Sequence, residues 1–175
     1  ATTEIYTLSL HDGSSDLVKV QCNFLGINQA GATANANRVG VRVGVSSIDS
    51  DGVFIGVDGN GINDTNERNV ISGNIQQGIL DSSNPSSDSL VVAGNYIGTN
   101  AAGTASVGNG GNGITITNTA FVTIGTNSDG VSDLLERNVI SGNTGIGLQF
   151  TSFIVTNRDM RNYIGTNAAG TAAIP

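Results

Sequence analysis

The sequence predicts an all-β fold, a right-handed parallel β-helix (solenoid) with three strands per coil and about five coils. Three observations predict it: two long segments recur unchanged, short apolar runs follow one another in a fixed order, and Asn stands at equivalent places. With 25 Gly, two Pro, no Trp, three Tyr and five Phe, the chain is rich in turn residues and short of bulky core residues. Many short strands joined by tight turns suit this composition.

The repeat is the strongest signal in the sequence. Residues 67–74 (Glu-Arg-Asn-Val-Ile-Ser-Gly-Asn) recur unchanged at 136–143, and residues 95–105 (Asn-Tyr-Ile-Gly-Thr-Asn-Ala-Ala-Gly-Thr-Ala) recur unchanged at 162–172. A degenerate copy of the second segment lies at 23–33. We therefore predict one β-helix domain over residues 1–175, in which 1–22 ends a preceding coil, 23–94 is repeat 1, 95–161 is repeat 2 and 162–175 begins repeat 3.

Three series of short β-type runs divide the repeat further. The first series begins near five equivalent asparagines, Asn23, Asn69, Asn95, Asn138 and Asn162. The second comprises residues 41–45, 78–80, 114–117 and 146–150, and the third comprises 17–20, 53–55, 90–92, 121–124 and 153–155. The series keep the same order along the chain, which indicates three strands per coil. Alternate coils are longer because they carry loops, of which those at 28–37 and 100–112 are predicted to be smooth polar surface.

Strands this short bury no face alone, so each is expected to stack on its equivalent in the next coil. Stacking satisfies the backbone hydrogen bonds and encloses an aliphatic column. Asn at equivalent places predicts a ladder in which side-chain amides bond to one another at the bends, and Asn also tolerates the left-handed conformation of a sharp corner. The alternative is an antiparallel β-sandwich, which gives no reason for a two-coil repeat with Asn in each coil.

Charge and apolar patterning restrict the function classes. The net charge is −7, with one Lys and six scattered Arg, whereas a nucleic-acid-binding protein needs clustered cations. No apolar run approaches the ~20 residues that a membrane-spanning helix requires. Cys22 is the single cysteine, which excludes an intramolecular disulfide and a cysteine-based metal site, and we expect a buried structural thiol. Neither nucleic acid nor a membrane span is expected.

Two long loops in equivalent places carry the candidate metal ligands. They span residues 56–67 and 125–136, each between a strand of the third series and the next strand of the first. Oxygen-bearing side chains stand at loop positions 3, 5, 9 and 12, with Gly at position 6 and an apolar residue at position 7. This layout resembles the calcium-binding loops of EF-hands and of type 3 thrombospondin repeats. In those loops alternate side chains and the position-7 carbonyl converge on the ion, and a final Glu closes the site.

By that resemblance, each loop would supply five ligands. The first site comprises Asp58, Asn60, the Ile62 carbonyl, Asp64 and Glu67, and the second comprises Asn127, Asp129, the Val131 carbonyl, Asp133 and Glu136. Both loops have Gly where the pattern begins with Asp, and each has one Asn in place of a carboxylate. The expected cofactor is therefore a weakly bound Ca²⁺, with a Kd of ~10⁻⁴–10⁻³ M. Ordinary turn chemistry, in which Asp, Asn and Gly bond their own backbone, explains the same pattern at least as well.

Side chains suited to catalysis are few. His11 is the single histidine and lies near the N-terminus, where an exposed or capping role is expected. Asp49 and Asp51 flank Ser50 and would serve as paired carboxylates in glycoside hydrolysis, but Ser-Asp-Gly is also a common turn. The sequence assigns no catalytic residue.

The two repeated segments resemble repeats of large bacterial secreted and surface proteins that contain right-handed parallel β-helix domains. The resemblance rests on Asn-Tyr-Ile-Gly-Thr-Asn-Ala-Ala-Gly-Thr-Ala and Arg-Asn-Val-Ile-Ser-Gly-Asn, and it covers nearly the whole chain from Asn23 onward. The wider β-helix superfamily includes pectate lyases, polygalacturonases and phage tailspikes, so the resemblance implies contact with carbohydrate. None of the catalytic motifs of those enzymes is matched in this sequence.

These observations predict a structural or adhesive segment of a larger secreted protein, exposed at the cell surface and stabilised by calcium. The alternative is a polysaccharide-binding or polysaccharide-degrading domain, a lyase or a hydrolase. An enzyme is expected to cluster acidic or basic residues on one face of consecutive coils, whereas near-identical repeated surfaces suit a scaffold. The expected partners are polysaccharide or cell-surface components, and a second copy of the chain through head-to-tail or edge contacts.

Overall fold

Three parallel sheets make up the fold. The computed structural model describes residues 18–44, 52–82, 89–117, 121–151 and 156–175, and of 156–160 it describes the backbone. The first sheet contains β1 (Val18–Val20), β4 (Val53–Gly56), β7 (Leu90–Ala93), β10 (Phe121–Gly125) and β13 (Thr156–Met160). The second contains β2 (Phe24–Leu25), β5 (Val70–Ile71), β8 (Tyr96–Ile97), β11 (Val139–Ile140) and β14 (Tyr163–Ile164). The third contains β3 (Val41–Val43), β6 (Ile79–Asp81), β9 (Ile114–Thr117) and β12 (Leu148–Thr151).

The strands wind into a solenoid. Each strand pairs in parallel with its equivalent one coil away, so that Val18 pairs with Val53, and Val53 with Leu90. Along the chain the strands enter the three sheets in turn, and three consecutive strands therefore make one coil. The described strands complete four coils and add two strands of a fifth. This confirms the predicted all-β parallel solenoid with three strands per coil, although the coil count is slightly below five. The right-handed sense stays a prediction from the general preference of parallel crossovers.

Branched aliphatic side chains fill the interior. In the second sheet Leu25, Ile71, Ile97 and Ile140 lie in register on the inner side and are fully buried. Equivalent buried columns are formed by Ile55, Val92 and Ile124 in the first sheet and by Ile79 and Ile114 in the third. Each inner side chain rests on one of similar volume, because a column of constant cross-section leaves no room for large changes in size. The recurrence of Ile at equivalent positions follows from this packing.

The predicted asparagine ladder is present at the bend that leads into the second sheet. Each side-chain amide donates to the side-chain oxygen one coil further on: Asn23 to Asn69 at 3.1 Å, Asn69 to Asn95 at 2.9 Å, Asn95 to Asn138 at 3.1 Å, and Asn138 to Asn162 at 2.9 Å. The backbone N–H of each donor residue donates to the same oxygen. Asn69, Asn95 and Asn138 are fully buried, and buried amides require such partners.

A second asparagine ladder, which was not predicted from the sequence, follows the second sheet. Asn74 donates its side-chain amide to Asn109 at 2.8 Å, and Asn109 donates to Asn143 at 2.8 Å. Asn74 and Asn143 belong to the repeated segments, but Asn109 is separated from Asn95 by an inserted hairpin. The three asparagines are unequally spaced in the sequence, but in the solenoid each lies one coil from the next.

The inserted segments of alternate coils are short antiparallel hairpins. Their closing bridges are Ile27–Ala34, Thr99–Ser106 and Thr166–Ala173. In each turn one Asn side-chain oxygen accepts the backbone N–H groups four and five residues further on, as Asn100 does from Thr104 at 2.8 Å and Ala105 at 3.2 Å. Asn28 and Asn167 make the same pair of bonds. The segments 28–37 and 100–112 therefore each contain a turn that is capped by the side chain of an asparagine, and we call these hairpins capped hairpins.

Successive hairpins touch one another across the intervening compact coil. The backbone N–H of Ala101 donates to the Gly31 carbonyl at 2.8 Å, and that of Ala168 donates to the Gly103 carbonyl at 2.8 Å. The hairpins thus form a hydrogen-bonded row along one edge of the solenoid, which we call the hairpin row. It adds a further set of contacts between coils that are not adjacent.

The fifth strand of the first sheet differs in register from the prediction. The sequence places it at 153–155, which lies outside the described residues, whereas β13 pairs with β10 over residues 156–160, with Phe121 opposite Thr156. This difference in register follows from the corner residue that precedes each asparagine of the first ladder. β7 is followed by Gly94 and then Asn95, and β13 is followed by Arg161 and then Asn162. A single corner residue with positive φ connects strand and ladder in both coils, so distance from the ladder locates the strand better than aligned apolar residues do.

Cys22 is exposed, which corrects the expectation of a buried thiol. It occupies the corner position before ladder residue Asn23, with φ of 64°, as Arg161 does before Asn162 with φ of 58°. The left-handed corner turns the side chain away from the core, and Arg161 is likewise exposed. The Cys22 thiol contacts the carbonyl oxygen of Asn66.

Candidate metal centre

The two candidate loops leave the first sheet and return to the second, as predicted. Loop 1 (residues 56–67) joins β4 to β5, and loop 2 (residues 125–136) joins β10 to β11. The final Glu of each loop reaches back to its start: Glu67 Oε2 accepts the Asp58 backbone N–H at 3.0 Å, and Glu136 Oε2 accepts that of Asn127 at 3.0 Å. Each loop is thus closed by the carboxylate of its own final Glu, without a bound ion.

Both loops contain the turn hydrogen bonds expected of Asp and Asn. In loop 1 Asp58 Oδ1 accepts the Asn60 N–H at 3.1 Å, Asn60 Oδ1 accepts the Ile62 N–H at 2.7 Å, and Asp64 Oδ2 accepts the Gly61 N–H at 3.1 Å. Loop 2 repeats this pattern with Asn127, Asp129 and Asp133 as acceptors. Turn chemistry therefore accounts for part of the polar composition of both loops, and these bonds alone are not evidence of a cation site.

Three carboxylates converge in loop 1, and the turn hydrogen bonds do not account for this convergence. One oxygen each from Asp58, Asp64 and Glu67 lies within 4.8 Å of the others. Asp64 is 4% exposed, and its Oδ1 atom is buried without a hydrogen-bond partner among the described residues. A desolvated carboxylate oxygen without a donor is unfavourable by about 1–3 kcal/mol. One of the two Asp64 carboxylate oxygens is therefore buried without a partner, in a residue that belongs to the acidic cluster.

The ammonium group of Lys19 faces this acidic cluster. It lies on β1, in the neighbouring coil, and its Nζ forms an ion pair with Asp58 Oδ2. The hydrogen bond to Asp58 raises the pKa of Lys19. Burial acts to raise the pKa of Asp58, but the hydrogen bonds from Lys19 and Asn60 outweigh it, and the pKa is lowered. The sequence did not predict this pair because the two residues meet only through coil stacking.

Loop 2 does not reproduce the carboxylate cluster. Asn127 stands where loop 1 has Asp58, and the Asp133 carboxylate lies 3.5 Å from the Arg161 guanidinium. No second group of three converging acidic side chains is found in the described part of the chain. Ile62 and Val131, whose carbonyls were predicted ligands, have side chains 67% and 43% exposed. The ten predicted residues thus occupy equivalent loops, but only three of them, all in loop 1, form a converging acidic cluster among the described residues.

Glu136 lies between the two loops. It is 3% exposed, and a Cβ atom added at Gly59 of loop 1 would overlap its Oε1 atom. Burial raises the pKa of Glu136 above its ordinary value of 4.5, and the negative charges of Asp129 and Asp133 act in the same direction. Loop 1 therefore needs Gly at position 59, because the carboxylate of the other loop occupies the space of a side chain.

Replacing Glu136 with Gln is expected to flatten the pH dependence of stability above pH 4.5, the ordinary pKa of this carboxyl. A carboxyl whose pKa is raised by folding stabilises the folded state below that pH, and this contribution is lost as the pH rises through the raised pKa. Gln does not ionise, so the variant should lose less stability than the parent as the pH approaches neutrality. Free energies of unfolding in urea over a pH series measure the difference, and coincident profiles would contradict the assignment.

A second feature lies on the outer side of the second sheet. Phe24, Val70, Tyr96, Val139 and Tyr163 follow one another in register across its five strands. The Arg68 guanidinium lies over the Tyr96 ring, 4.2 Å from its centroid, and Arg137 lies 5.7 Å from the centroid of Tyr163 and donates to its hydroxyl at 3.1 Å. We call Arg68, Tyr96, Arg137 and Tyr163 the Arg–Tyr stripe. Its two pairs recur at equivalent positions two coils apart.

The candidate catalytic residues His11, Asp49 and Asp51 lie outside the described residues. In the part of the chain that is described, no helix has the length and apolar character needed to cross a membrane.

Searches of protein-family models, curated proteins and solved structures found no match to this chain. The resemblance to bacterial surface β-helix repeats therefore stays a prediction.

Proposed function

We propose that the chain is a structural or adhesive scaffold segment of a larger secreted protein exposed at the cell surface. The observation that carries this proposal is the recurrence of the same contacts at equivalent positions. The asparagine ladders, the capped hairpins and the Arg–Tyr pairs all repeat along the solenoid axis. A surface that repeats in this way offers several copies of one contact, which suits avid attachment or a uniform spacer better than a single specialised pocket.

Cross-connections between coils support a spacer role. The first ladder joins five successive coils through Asn23, Asn69, Asn95, Asn138 and Asn162, and the hairpin row joins alternate coils through backbone bonds. Each coil is therefore held to its neighbours by side-chain amides as well as by strand pairing. Such a rod resists bending and local opening because loosening one coil breaks bonds to the coils on both sides.

We further propose that a second copy of this chain is one partner of the scaffold, through head-to-tail or edge contacts between parallel strands. Sedimentation velocity over a dilution series tests it: a sedimentation coefficient that does not change with concentration would count against self-association.

The alternative function is polysaccharide binding, and the Arg–Tyr stripe is the observation that favours it. Aromatic rings and guanidinium groups on a flat sheet face contact sugar rings and their hydroxyl or carboxylate groups. Tyr96 and Tyr163 lie two coils apart, which corresponds to about 9–10 Å along the axis at the usual strand spacing. An extended chain of sugars is the kind of ligand that would contact both pairs at once.

Incubation with pectin, alginate and related polymers tests the scaffold proposal against degradation of polysaccharide. We expect no new reducing ends and no unsaturated products, and turnover of any polymer would overturn the proposal. Affinity electrophoresis in gels that contain the same polymers tests binding. Retardation that is lost in Tyr96→Ala and retained in the hairpin variant Thr104→Ala would favour the Arg–Tyr stripe as a binding face. Unretarded migration in all gels leaves the spacer role as the better description.

A further inference from the structure

We propose that loop 1 binds one divalent cation, Ca²⁺, through Asp58, Asp64 and Glu67, and that loop 2 does not form an equivalent site. The proposal concerns stability and ligand binding of this chain and holds whether or not the chain is a scaffold. It goes beyond the loop pattern in the sequence, which treats the two loops as alike.

The negative charge of loop 1 favours a bound cation. Three carboxylates with oxygens within 4.8 Å of one another repel strongly unless positive charge lies among them. Lys19 pairs with Asp58, and in the described residues it is the one cationic group found bonded to this cluster. Ionised together, the three carboxylates and Lys19 carry a net charge of about −2. A divalent cation would neutralise that charge.

Asp64 favours a bound cation independently of the clustering. Its Oδ2 atom accepts the Gly61 N–H at 3.1 Å, but its Oδ1 atom is buried without a partner among the described residues. The residue is 4% exposed, so bulk water does not replace the missing donor. A buried, unpartnered carboxylate oxygen needs an explanation. A cation bound between Asp64 and its two acidic neighbours would supply it.

The ligand chemistry selects calcium among common cations. The cluster offers oxygen atoms only, without His or Cys, which disfavours Zn²⁺ and other borderline or soft metals. Ca²⁺ accepts six to eight oxygens in an adaptable geometry, so backbone carbonyls and water can complete the shell. Mg²⁺ demands a near-octahedral shell and gives up its waters reluctantly. We therefore expect Ca²⁺ to bind more tightly than Mg²⁺.

Loop 2 provides the internal comparison. Its position equivalent to Asp58 is the neutral Asn127, and the Asp133 carboxylate, equivalent to Asp64, is already paired with Arg161 at 3.5 Å. Neither oxygen of the Asp133 carboxylate is a buried atom without a hydrogen-bond partner in the described part of the chain. Loop 2 also has three carboxylates, but one of them, Asp129, stands at position 5 instead of position 3. Among the described residues these three do not form a converging group.

Lys19 is expected to compete with Ca²⁺ for the Asp58 carboxylate. Its Nζ occupies a position on the Asp58 carboxylate that a cation would otherwise use. The Lys19 side chain is 36% exposed, so it can swing into solvent when Ca²⁺ binds. Removing it should tighten Ca²⁺ binding about two- to fivefold, the range expected for one partly exposed ion pair.

Calorimetric titration of the full chain with calcium chloride tests the proposal. We expect one ion per chain with a Kd of ~10⁻⁴–10⁻³ M, together with a rise in Tm of about 5–10 °C between chelator and a hundredfold excess over Kd. Magnesium chloride should give weaker binding. The absence of both heat and Tm shift at 10 mM Ca²⁺ (about ten times the weakest expected Kd) would overturn the proposal, as would a stoichiometry of two.

Matched variants in the two loops locate the ion. Asp64→Asn should weaken binding at least about tenfold by removing a charged ligand, while Asp133→Asn, its equivalent in loop 2, should leave the Kd unchanged. Equal losses in both variants would overturn the assignment to loop 1. Because Asp64 is buried, the fold of each variant is checked by circular dichroism in chelator. Glu67→Gln gives a second test that does not depend on Asp64, and an unchanged Kd in that variant would also contradict the site.

Discussion

Replacing Asn95 with Ala is expected to lower the free energy of unfolding by about 3–5 kcal/mol. The Asn95 amide is fully buried and donates to the carbonyl oxygens of Ile55 at 2.8 Å and Ala93 at 3.0 Å. Its oxygen accepts both the backbone N–H and the side-chain amide of Asn69, and its amide also donates to Asn138. Ala would leave these groups buried without partners, at about 1–3 kcal/mol for each group that water cannot reach.

Urea-induced unfolding followed by circular dichroism measures this loss, and Asn35→Ala is the matched control. Asn35 is exposed, and no side-chain hydrogen bond joins it to the described residues. Its replacement should change the free energy of unfolding by no more than about 0.5 kcal/mol. If Asn95→Ala proves as mild as Asn35→Ala, the ladder is not a main source of stability.

The second large effect is expected at Gly98. Replacing it with Ala should lower the free energy of unfolding by about 4 kcal/mol or more. Gly98 has φ of 90°, which alone makes an L-residue unfavourable by about 1–2 kcal/mol. In addition, a Cβ atom there would overlap the Ser141 carbonyl oxygen and the Asn143 side chain of the next coil. The coils would have to separate at a point where Ser141 N–H donates to the Ile97 carbonyl at 3.0 Å.

Gly165→Ala separates the two contributions. Gly165 follows the same Asn-Tyr-Ile segment and has φ of 77°, but no atom of the described chain lies within 4 Å of an added Cβ. This variant should therefore show only the conformational part, about 1–2 kcal/mol. Parallel urea titrations of both variants at low protein concentration measure the difference. Equal losses would mean that backbone conformation, and not close approach of the coils, explains the Gly at this position.

The elements that could be predicted from the sequence are those in which equivalent residues meet. Stacking places Asn69 against Asn95 and Ile97 against Ile140, so a repeat in the sequence becomes a ladder or a column in space. The strands of the second sheet were located in this way. The failed prediction, the last strand of the first sheet, relied on similar apolar residues instead of the distance to Asn162.

The candidate site was predicted less completely, because its loops look alike in sequence but differ in their neighbours. The pattern of Asp, Asn, Gly and Glu located both loops and named the three residues that converge, Asp58, Asp64 and Glu67. It did not identify Lys19 as the partner of Asp58 or Arg161 as the partner of Asp133. Those partners come from other coils, and the pattern within one loop carries no information about them.

By itself, therefore, the sequence determined the solenoid, its three strands per coil and the first asparagine ladder, because these follow from like residues stacking on like at a regular interval. The tertiary structure alone decided the second ladder, the hairpin row and the difference between the two loops. These depend on which coil lies beside which after insertions of unequal length. The cationic partners of Asp58 and Asp133, and the closeness of Glu136 to Gly59 of loop 1, come from other coils, so the loop pattern alone does not distinguish a candidate cation site from a turn.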